Sequence, residues 1–182
     1  LFEVWTDALD WASGIGSHLT VTLNSGYITD IDWSTGWRLP DTVDGPLVFG
    51  HEGDPDGDGI YNYTEGFNLA NSEMGHLFYT ELGNLGTTDT SGNSQPGYGL
   101  VNTGDFENLI SGGYWSGTAC ETLTDTVWFF HMGFGLQGTT PITSGFSGIA
   151  VHSGTVSAVP APSSVILLGL GLLGFAGISR RK

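Results

Sequence analysis

The chain reads TVWFFHM at residues 126–132, and this run decides the fold class. Its aromatic and β-branched side chains favour an extended strand of ordinary length. Shorter runs of the same character flank it, namely YWS at 114–116, IAVH at 149–152 and GTV at 154–156. The chain from residue 114 onward is therefore predicted to form a small antiparallel sheet.

Residues 3–13 are predicted to form a helix. Their apolar side chains recur at helical spacing, and Gly14 follows as a suitable C-cap. The apolar stripe consists of Trp5, Ala8, Leu9 and Ala12. One face of this helix should therefore contact the core.

A second helix is predicted from about Ser72 to Leu82. Glu73 lies in its first turn, where a carboxylate is favoured by the helix dipole, and Gly83 follows its end. Its apolar face consists of Met74, Leu77, Phe78 and Leu82. Residues 83–105 are rich in Gly, Asn, Thr and Ser and are predicted to be a long loop. This order of helices, loops and strands indicates an α+β fold in a single domain.

Composition and charge exclude several classes of function. The chain has 182 residues with 19 acidic residues and 4 Lys or Arg, and three of those four cations are the last three residues. Arg38 is the only cation before them. Nucleic acids bind through Lys and Arg, so we expect no nucleic-acid partner and no docking of the body on an anionic membrane surface. The single cysteine, Cys120, excludes an internal disulfide.

The acidic chain should attract metal cations, and residues 54–65, DPDGDGIYNYTE, carry a pattern of calcium ligands. They fit D-x-[DN]-x-[DN]-G-x5-E at every fixed position. The predicted ligands are Asp54, Asp56, Asp58, the carbonyl of Ile60, Asn62 through water, and Glu65. Oxygen ligands favour Ca²⁺ over zinc or copper, and we expect a mainly structural ion. The alternative is a solvated acidic turn, because residues 47–50 resemble a strand and Gly66 interrupts a following helix.

Residues 37–40 form the motif Trp37-Arg38-Leu39-Pro40 around the only cation of the body. A guanidinium group can donate two parallel hydrogen bonds to one carboxylate. We therefore interpret Arg38 as a buried structural hub whose removal would leave carboxylates unpaired and be severely destabilising. The alternative is an arginine that binds a ligand.

The sequence contains no catalytic motif. Its five histidines are scattered, and it has no HExxH, GxSxG or nucleotide-binding glycine loop. A nucleophilic Cys120 would need a partner base that the sequence does not indicate. We therefore predict that the protein is not an enzyme.

Residues 157–182 form a tail with three parts. Its order is a proline motif at Val159-Pro160-Ala161-Pro162, an uncharged segment predicted to span a membrane at 163–179, and the cluster Arg180-Arg181-Lys182. A spanning helix followed by cations keeps its basic end in the cytoplasm. A buried soluble helix is the alternative, and the glycines of the segment argue against it.

This tail resembles a PEP-CTERM sorting signal, which combines a short proline motif, a Gly/Leu-rich span and a terminal basic cluster. The family has Glu between the two prolines, where this chain has Ala161. The resemblance implies an exosortase as processing partner in a Gram-negative bacterium. It also implies export to the cell envelope, outer surface or exopolysaccharide matrix, with at least transient membrane anchoring by the C-terminal helix.

The body, residues 1–156, resembles the Lcl C-terminal domain family, which is related to C-type-lectin-like domains. The matching stretches are WxxAxxWA at 5–12, GWRLP at 36–40, SEMGHLFYTELGN at 72–84, FENL at 106–109, YWSGT at 114–118, WxF at 128–130 and AVHSG at 150–154. The family usually has Arg where this chain has His152, so a salt bridge there would depend on pH.

The lectin-like resemblance implies a C-type-lectin-like architecture and favours recognition of polysaccharide, with neutral sugars suiting the acidic surface better than sulfated ones. The alternative function is a structural or adhesive envelope protein that has no small ligand. The two differ in whether exposed aromatic residues line a concave loop surface.

Overall fold

The structure is a computed structural model, and it describes residues 1–42, 49–50, 65–67, 72–89, 91–154 and 156–158 of the chain. The helices are α1 (Trp5–Gly14), continued by a 3-10 turn (Ile15–His18), and α2 (Glu73–Gly75), continued by a π-helix (His76–Glu81). The strands are β1 (Tyr27–Thr29), β2 (Trp37–Arg38), β3 (Phe49–Gly50), β4 (Glu65–Phe67), β5 (Gly113–Ala119), β6 (Thr126–His131), β7 (Leu136–Pro141), β8 (Val151–His152) and β9 (Val156–Ala158). The predicted α+β class with two short helices is confirmed.

The main sheet has the strand order β3-β4-β7-β6-β5. β6, the TVWFFHM run, pairs with β7 from Thr126 opposite Pro141 to His131 opposite Leu136, and it pairs with β5 on its other side. As predicted, the pairing is antiparallel between β4 and β7, between β7 and β6, and between β6 and β5. The structure adds a parallel pair, β3 with β4. A parallel connection needs a crossover of about a dozen residues, and residues 51–64 provide that length.

Alternating residues of β5 and β6 belong to two separate buried clusters. Trp115 and Val127 contact Ala8 and Ala12 of α1 in one buried cluster. The neighbouring strand residues belong to a second buried cluster with α2, which consists of Met74, Phe78, Tyr114, Phe130 and Met132. Because successive side chains of a strand point to opposite faces, the two helices cover opposite faces of the sheet. Each large side chain buried in this way contributes about 1.5–3 kcal/mol.

The first helix has its predicted apolar stripe, but Gly14 is its last residue and not a left-handed C-cap. Ala8 and Ala12 are fully buried, and Trp5 and Leu9 contact the same cluster. Gly14 keeps a right-handed helical backbone, so it does not form the left-handed C-cap that the sequence predicted. The chain tightens instead into the 3-10 turn, as helix ends often do.

The second helix begins as predicted and then changes type. The Ser72 hydroxyl accepts a hydrogen bond from the backbone N–H of Gly75 at 3.1 Å, which caps the first turn. From His76 the helix widens, and Leu82 N–H donates to the carbonyl of Leu77, five residues earlier, at 2.9 Å. A π-helical turn leaves no signature in apolar spacing over so short a segment, and the sequence could not predict it.

β7 is the strand that sequence patterning missed. It reads LQGTTP, which contains glycine and proline and lacks apolar alternation. Its extended form comes from its neighbours, because it lies between β6 and β4 and pairs with both. The strand is therefore a consequence of tertiary pairing rather than of local propensity.

The chain divides into two compact units. The first comprises residues 1–19 and 33–153 and contains the main sheet, both helices and the β2–β8 pair. The second joins residues 20–32 to the chain from residue 154, and its described part is the β1–β9 pair, with Tyr27 opposite Ala158. The predicted boundary between a body at 1–156 and a tail at 157–182 stays a prediction.

In the ranges that the structure describes, no helix is long and apolar enough to cross a membrane. The segment 163–179, for which the sequence predicts a span, lies outside those ranges.

The turn between β6 and β7 depends on Gly135. Its φ is +65°, a conformation that side chains with a Cβ rarely adopt. A Cβ at this position would lie 2.8 Å from the Phe78 ring and 2.9 Å from Gly86 Cα, and the Tyr79 hydroxyl donates to the Gly135 carbonyl. Both the backbone and the surrounding space therefore require glycine here.

We expect Gly135→Ala to lower the free energy of unfolding by about 3 kcal/mol, since backbone strain and overlap add. Gly97→Ala is the matched control, because Gly97 has a φ of +78° but no heavy atom within 4 Å of an added Cβ. It should lose only about 1–2 kcal/mol from backbone strain. Urea-induced unfolding of both variants measures the difference, and equal losses would contradict the packing argument.

Candidate functional site

Two clefts of the first unit meet at Phe106 and form what we call the Phe106 groove. The first cleft has a volume of about 490 Å³ and the second about 410 Å³. Phe106 and Ile149 line both clefts. Each volume is within the range of ordinary ligand pockets.

The first cleft has an apolar floor and a polar rim. The floor consists of Pro40, Met74, Leu77, Ile149, Ala150 and Val151. The rim consists of Ser72, Glu73, His76 and Glu81, with Phe106 at one end. Apolar walls with a few placed polar groups are typical of a site that orients a ligand.

The second cleft is more polar and belongs to the loop around Phe106. Asp105, Glu107 and Asn108 contribute exposed side chains to it. Leu109 anchors the loop in the core cluster of α2, and the Tyr114 hydroxyl accepts a hydrogen bond from Ile110 N–H at 2.8 Å. The loop is therefore fixed at its C-terminal end while its tip faces solvent.

Asn84 fixes the chain on the N-terminal side of Phe106. Its side-chain oxygen accepts from the N–H groups of Val101 at 3.0 Å and Asn102 at 2.8 Å, and its amide donates to the Asn102 carbonyl at 2.9 Å. Asn84 is buried, so these bonds satisfy a side chain that water cannot reach. Phe106 N–H then donates to the Thr103 carbonyl at 3.1 Å, which closes a turn directly before the aromatic ring.

The π-helix places a histidine beside a carboxylate on the rim of the first cleft. His76 Nε2 lies 2.9 Å from Glu81 Oε1. The two residues are five positions apart, a separation that a π-helix aligns and an α-helix does not. Insertions of this kind occur frequently at functional sites.

The predicted motif at residues 37–40 lies beside this groove, and Arg38 pairs with Glu73. Nη1 of Arg38 donates to Glu73 Oε2 at 2.6 Å, and Nη2 donates to Oε1 at 2.8 Å. Nη1 also donates to the Leu39 carbonyl at 3.0 Å and lies 3.2 Å from Asp41 Oδ2. The Arg38 side chain is 35% exposed, so it lies at the surface rather than in the interior position that the sequence predicted.

The pair shifts the titration of both partners. The hydrogen bond from Arg38 lowers the pKa of the Glu73 carboxyl, and the N–H of Asp41, which donates to Oε2 at 2.7 Å, acts in the same direction. The hydrogen bond to Glu73 raises the pKa of Arg38. Both groups are therefore ionised at neutral pH, and Glu73 is a poor proton donor.

The other three residues of the motif contact the core, the groove and the β2–β8 pair. Leu39 is buried in the cluster of α1, and Pro40 contributes to the groove floor. The Pro40 carbonyl accepts from Ser116 Oγ at 2.9 Å and from Gly117 N–H at 2.8 Å. Trp37 pairs with His152 across the β2–β8 ladder.

His152 lies among aromatic rings rather than in a salt bridge with a described residue. Its ring centroid is 5.3 Å from that of Trp33 and 5.4 Å from that of Trp37. Its Nε2 lies 2.8 Å from the Thr35 carbonyl, which fixes Nε2 as the donor. At this position the histidine holds the strand pair through a tilted and an edge-on ring contact and one hydrogen bond.

Most of the predicted calcium and sorting residues lie outside the described residues. This applies to Asp54, Asp56, Asp58, Ile60 and Asn62, and to Val159, Pro160, Ala161, Pro162, Arg180, Arg181 and Lys182. Glu65 opens β4, so the last predicted ligand begins a strand and not the second helix of an EF-hand. Within the described ranges, no group of three or more His, Cys, Asp or Glu could hold a metal ion.

Sequence reasoning missed the groove, because its parts are far apart in the chain. Phe106 and Glu81 belong to stretches that the sequence assigned to a resemblance and not to a site, and Ile149 belongs to a run that was predicted only as a strand. The only local signal was an aromatic residue between two acidic ones in a loop, at residues 105–107. Such a signal is too common to identify a site without the fold.

We expect the Arg38–Glu73 pair to make part of the stability depend on pH. The folded pKa of Glu73 is lower than its unfolded value of about 4.3, so the contribution is present above that pH. It is lost as the pH falls through the folded pKa. Because the Glu73 side chain is 43% exposed, solvent screening limits the contribution to about 1 kcal/mol.

Urea unfolding between neutral and acidic pH tests this expectation with Glu73→Gln and Arg38→Met. A double-mutant cycle should give a coupling of about 1 kcal/mol at neutral pH that disappears in acid. Glu3→Gln, at an exposed position, is the control and should keep the pH dependence of the unmodified chain. A cycle with no coupling at neutral pH would show that the pair does not stabilise the fold.

The comparison with protein families matches residues 158–182 to the PEP-CTERM protein-sorting motif. No curated protein and no solved structure matches the chain, and the likeness of the body to lectin-like domains stays a prediction. The match confirms the predicted PEP-CTERM sorting motif at the C-terminus, and Ala161 lies within the matched residues. The membrane span predicted at 163–179 stays a prediction. The protein therefore carries a signal for export, for sorting to the cell surface and for processing by an exosortase.

Proposed function

We propose that this protein is a surface or matrix protein whose body binds polysaccharide in the Phe106 groove. The observation that carries the proposal is the position of Phe106, a 42% exposed aromatic ring where two clefts meet. The sorting motif supports it, since surface polysaccharide is the polymer that a protein exported in this way encounters.

The chemistry of the groove suits sugar rings. A pyranose has an apolar C–H face that contacts an aromatic ring and a rim of hydroxyls that needs hydrogen-bond partners. Phe106 and Ile149 provide the apolar contact, and Asp105, Glu107 and Asn108 provide acceptors and an amide donor. A polymer that crosses Phe106 would occupy both clefts.

The charges of the groove select against anionic polymers. The described residues that line it include no lysine or arginine, and Arg38 is engaged by Glu73, which lines the first cleft. Sulfated or phosphorylated chains would therefore approach unpaired carboxylates, which is unfavourable. Neutral or cationic polysaccharides are the compatible classes.

We propose binding without catalysis. Cleavage of a glycosidic bond needs a carboxylic acid that remains protonated near neutral pH, beside a second carboxylate. Glu73, on the rim, has a lowered pKa because Arg38 holds its ionised form. It therefore lacks the property that a general acid requires.

A structural or adhesive protein without a small ligand is the second candidate. Tyr27, Ile28 and Val156 are exposed on the β1–β9 pair and give that unit an apolar surface. Such a surface favours association with other envelope components. In that case substitutions in the groove would leave surface attachment unchanged.

Phe106→Ala should weaken binding to the recognised polysaccharide about tenfold, because the central apolar contact is lost. Tyr98→Ala is the matched control, since Tyr98 is 46% exposed and does not line the groove. Affinity electrophoresis against a panel of polysaccharides gives the comparison. Equal effects of the two substitutions would rule out the groove as the binding site.

We also propose that calcium bound through Asp54, Asp56, Asp58 and Glu65 stabilises the fold. The segment 51–64 joins β3 to β4, two paired strands of the main sheet, so an ion that orders this segment would support the sheet edge. For a Kd on the order of 10⁻⁴–10⁻³ M, about 10 mM Ca²⁺ would add roughly 1.4–2.7 kcal/mol.

Thermal unfolding with Ca²⁺, with Mg²⁺ and with chelator tests the calcium site. We expect Ca²⁺ to raise the Tm by about 3–10 °C relative to chelator and Asp56→Asn to remove most of that rise. Asp10→Asn, on the exposed side of α1, is the control and should respond to Ca²⁺ like the unmodified chain. The same Tm in Ca²⁺ and chelator would favour the solvated turn.

A further inference from the structure

Four of the described residues that line the Phe106 groove carry carboxylates, and two of these are already in contact with basic groups. Glu73 is paired with Arg38, and Glu81 lies 2.9 Å from His76 Nε2. Asp105 and Glu107 have no hydrogen bond or ion pair with any described residue. The free carboxylates therefore belong to the second cleft.

The two free carboxylates flank the exposed aromatic ring in sequence and line the same cleft. Asp105 and Glu107 stand on either side of Phe106, and all three are exposed. A protonated amine is attracted both by a carboxylate and by the face of an aromatic ring. A neutral hydroxyl gains much less from either group.

No described residue that lines this cleft is basic. The described lining of the second cleft has no Lys, Arg or His, and in the sequence Arg38 is the only Lys or Arg before the terminal cluster at 180–182. The charge of the whole body therefore reinforces the local preference. Charge complementarity selects one of the two compatible classes of polysaccharide, the cationic one.

We propose that the ligand of the Phe106 groove is a polysaccharide whose hexosamine units carry free, protonated amino groups. The inference rests on the proposed function and specifies its substrate class. The amino groups contact Asp105 and Glu107, the sugar faces contact Phe106 and Ile149, and the chain continues into the apolar first cleft. Acetylation of the amines removes their charge and should abolish the preference.

The test compares two probes of equal length, a glucosamine hexamer and an N-acetylglucosamine hexamer. The full chain, residues 1–182, is kept in solution with a mild detergent, and binding is measured by calorimetry at a mildly acidic pH where the amines are protonated. The unmodified chain should bind the glucosamine hexamer about tenfold more tightly. Raising the salt concentration to about 1 M should remove the difference, since the Debye length is then about 3 Å.

The decisive variant is Asp105→Asn combined with Glu107→Gln, which keeps shape and removes both charges. It should lose about tenfold in affinity for the glucosamine hexamer and keep its affinity for the acetylated one. The matched control combines Asp10→Asn with Glu3→Gln, the same two chemical changes at exposed positions outside the groove. Its affinity for both probes should stay within about twofold of the unmodified chain.

Each outcome decides the inference. Equal affinity of the unmodified chain for both hexamers would overturn the amine preference and leave the proposed polysaccharide function standing. Absence of binding to either hexamer would overturn the inference, and a Phe106-dependent match elsewhere in the polysaccharide panel would then preserve the proposed function alone. An oligolysine peptide that binds as tightly as the glucosamine hexamer would assign the site to cationic peptides instead.

Discussion

A single guanidinium group organises the chain around the groove. In residues 1–179 Arg38 is the only cation among 19 acidic residues, so its position decides which carboxylate is neutralised. It joins the end of β2 to the first turn of α2 through Glu73, and the next residues bind β5 through the Pro40 carbonyl. Strand, helix and sheet therefore meet at one segment, and Pro40 of that segment contributes to the floor of the first cleft. The exposure of the pair keeps its energy modest, so the pair's main contribution is to fix geometry.

The same contacts explain why the two clefts of the groove differ in polarity and in the pairing of their carboxylates. The cation satisfies Glu73, and the π-helical turn brings His76 to Glu81, so the carboxylates of the first cleft are engaged. The loop at 105–109 is fixed by Asn84 on one side and by Leu109 on the other, and it carries its acidic residues into solvent. An apolar cleft thus lies next to an acidic one, with Phe106 between them. A polymer with apolar faces and cationic substituents matches both halves.

The sorting motif and the candidate binding groove occupy different parts of the chain. The sorting motif begins at residue 158, at the end of β9, whereas the groove belongs wholly to the first unit. Processing of the tail would therefore leave every residue of the groove in place. The predicted calcium ligands adjoin a third region, the β3–β4 edge of the sheet, so an ion there would act on stability rather than on the ligand.

The sequence by itself determined the α+β class, the apolar stripe of α1, the start of α2 near Ser72, the strands around TVWFFHM and the sorting tail. These features depend on local periodicity, on capping chemistry or on a contiguous motif, which are readable from neighbouring residues. Only the tertiary structure decided the strand at LQGTTP, the π-helical turn after Gly75 and the groove. The strand and the groove depend on contacts between segments distant in sequence. β7 is extended because it lies between β4 and β6 and pairs with both. Phe106 lines a cleft because the fold brings Leu77 and Ile149 beside it. Local patterning carries no information about such contacts, so the candidate groove is recognisable only from the tertiary structure.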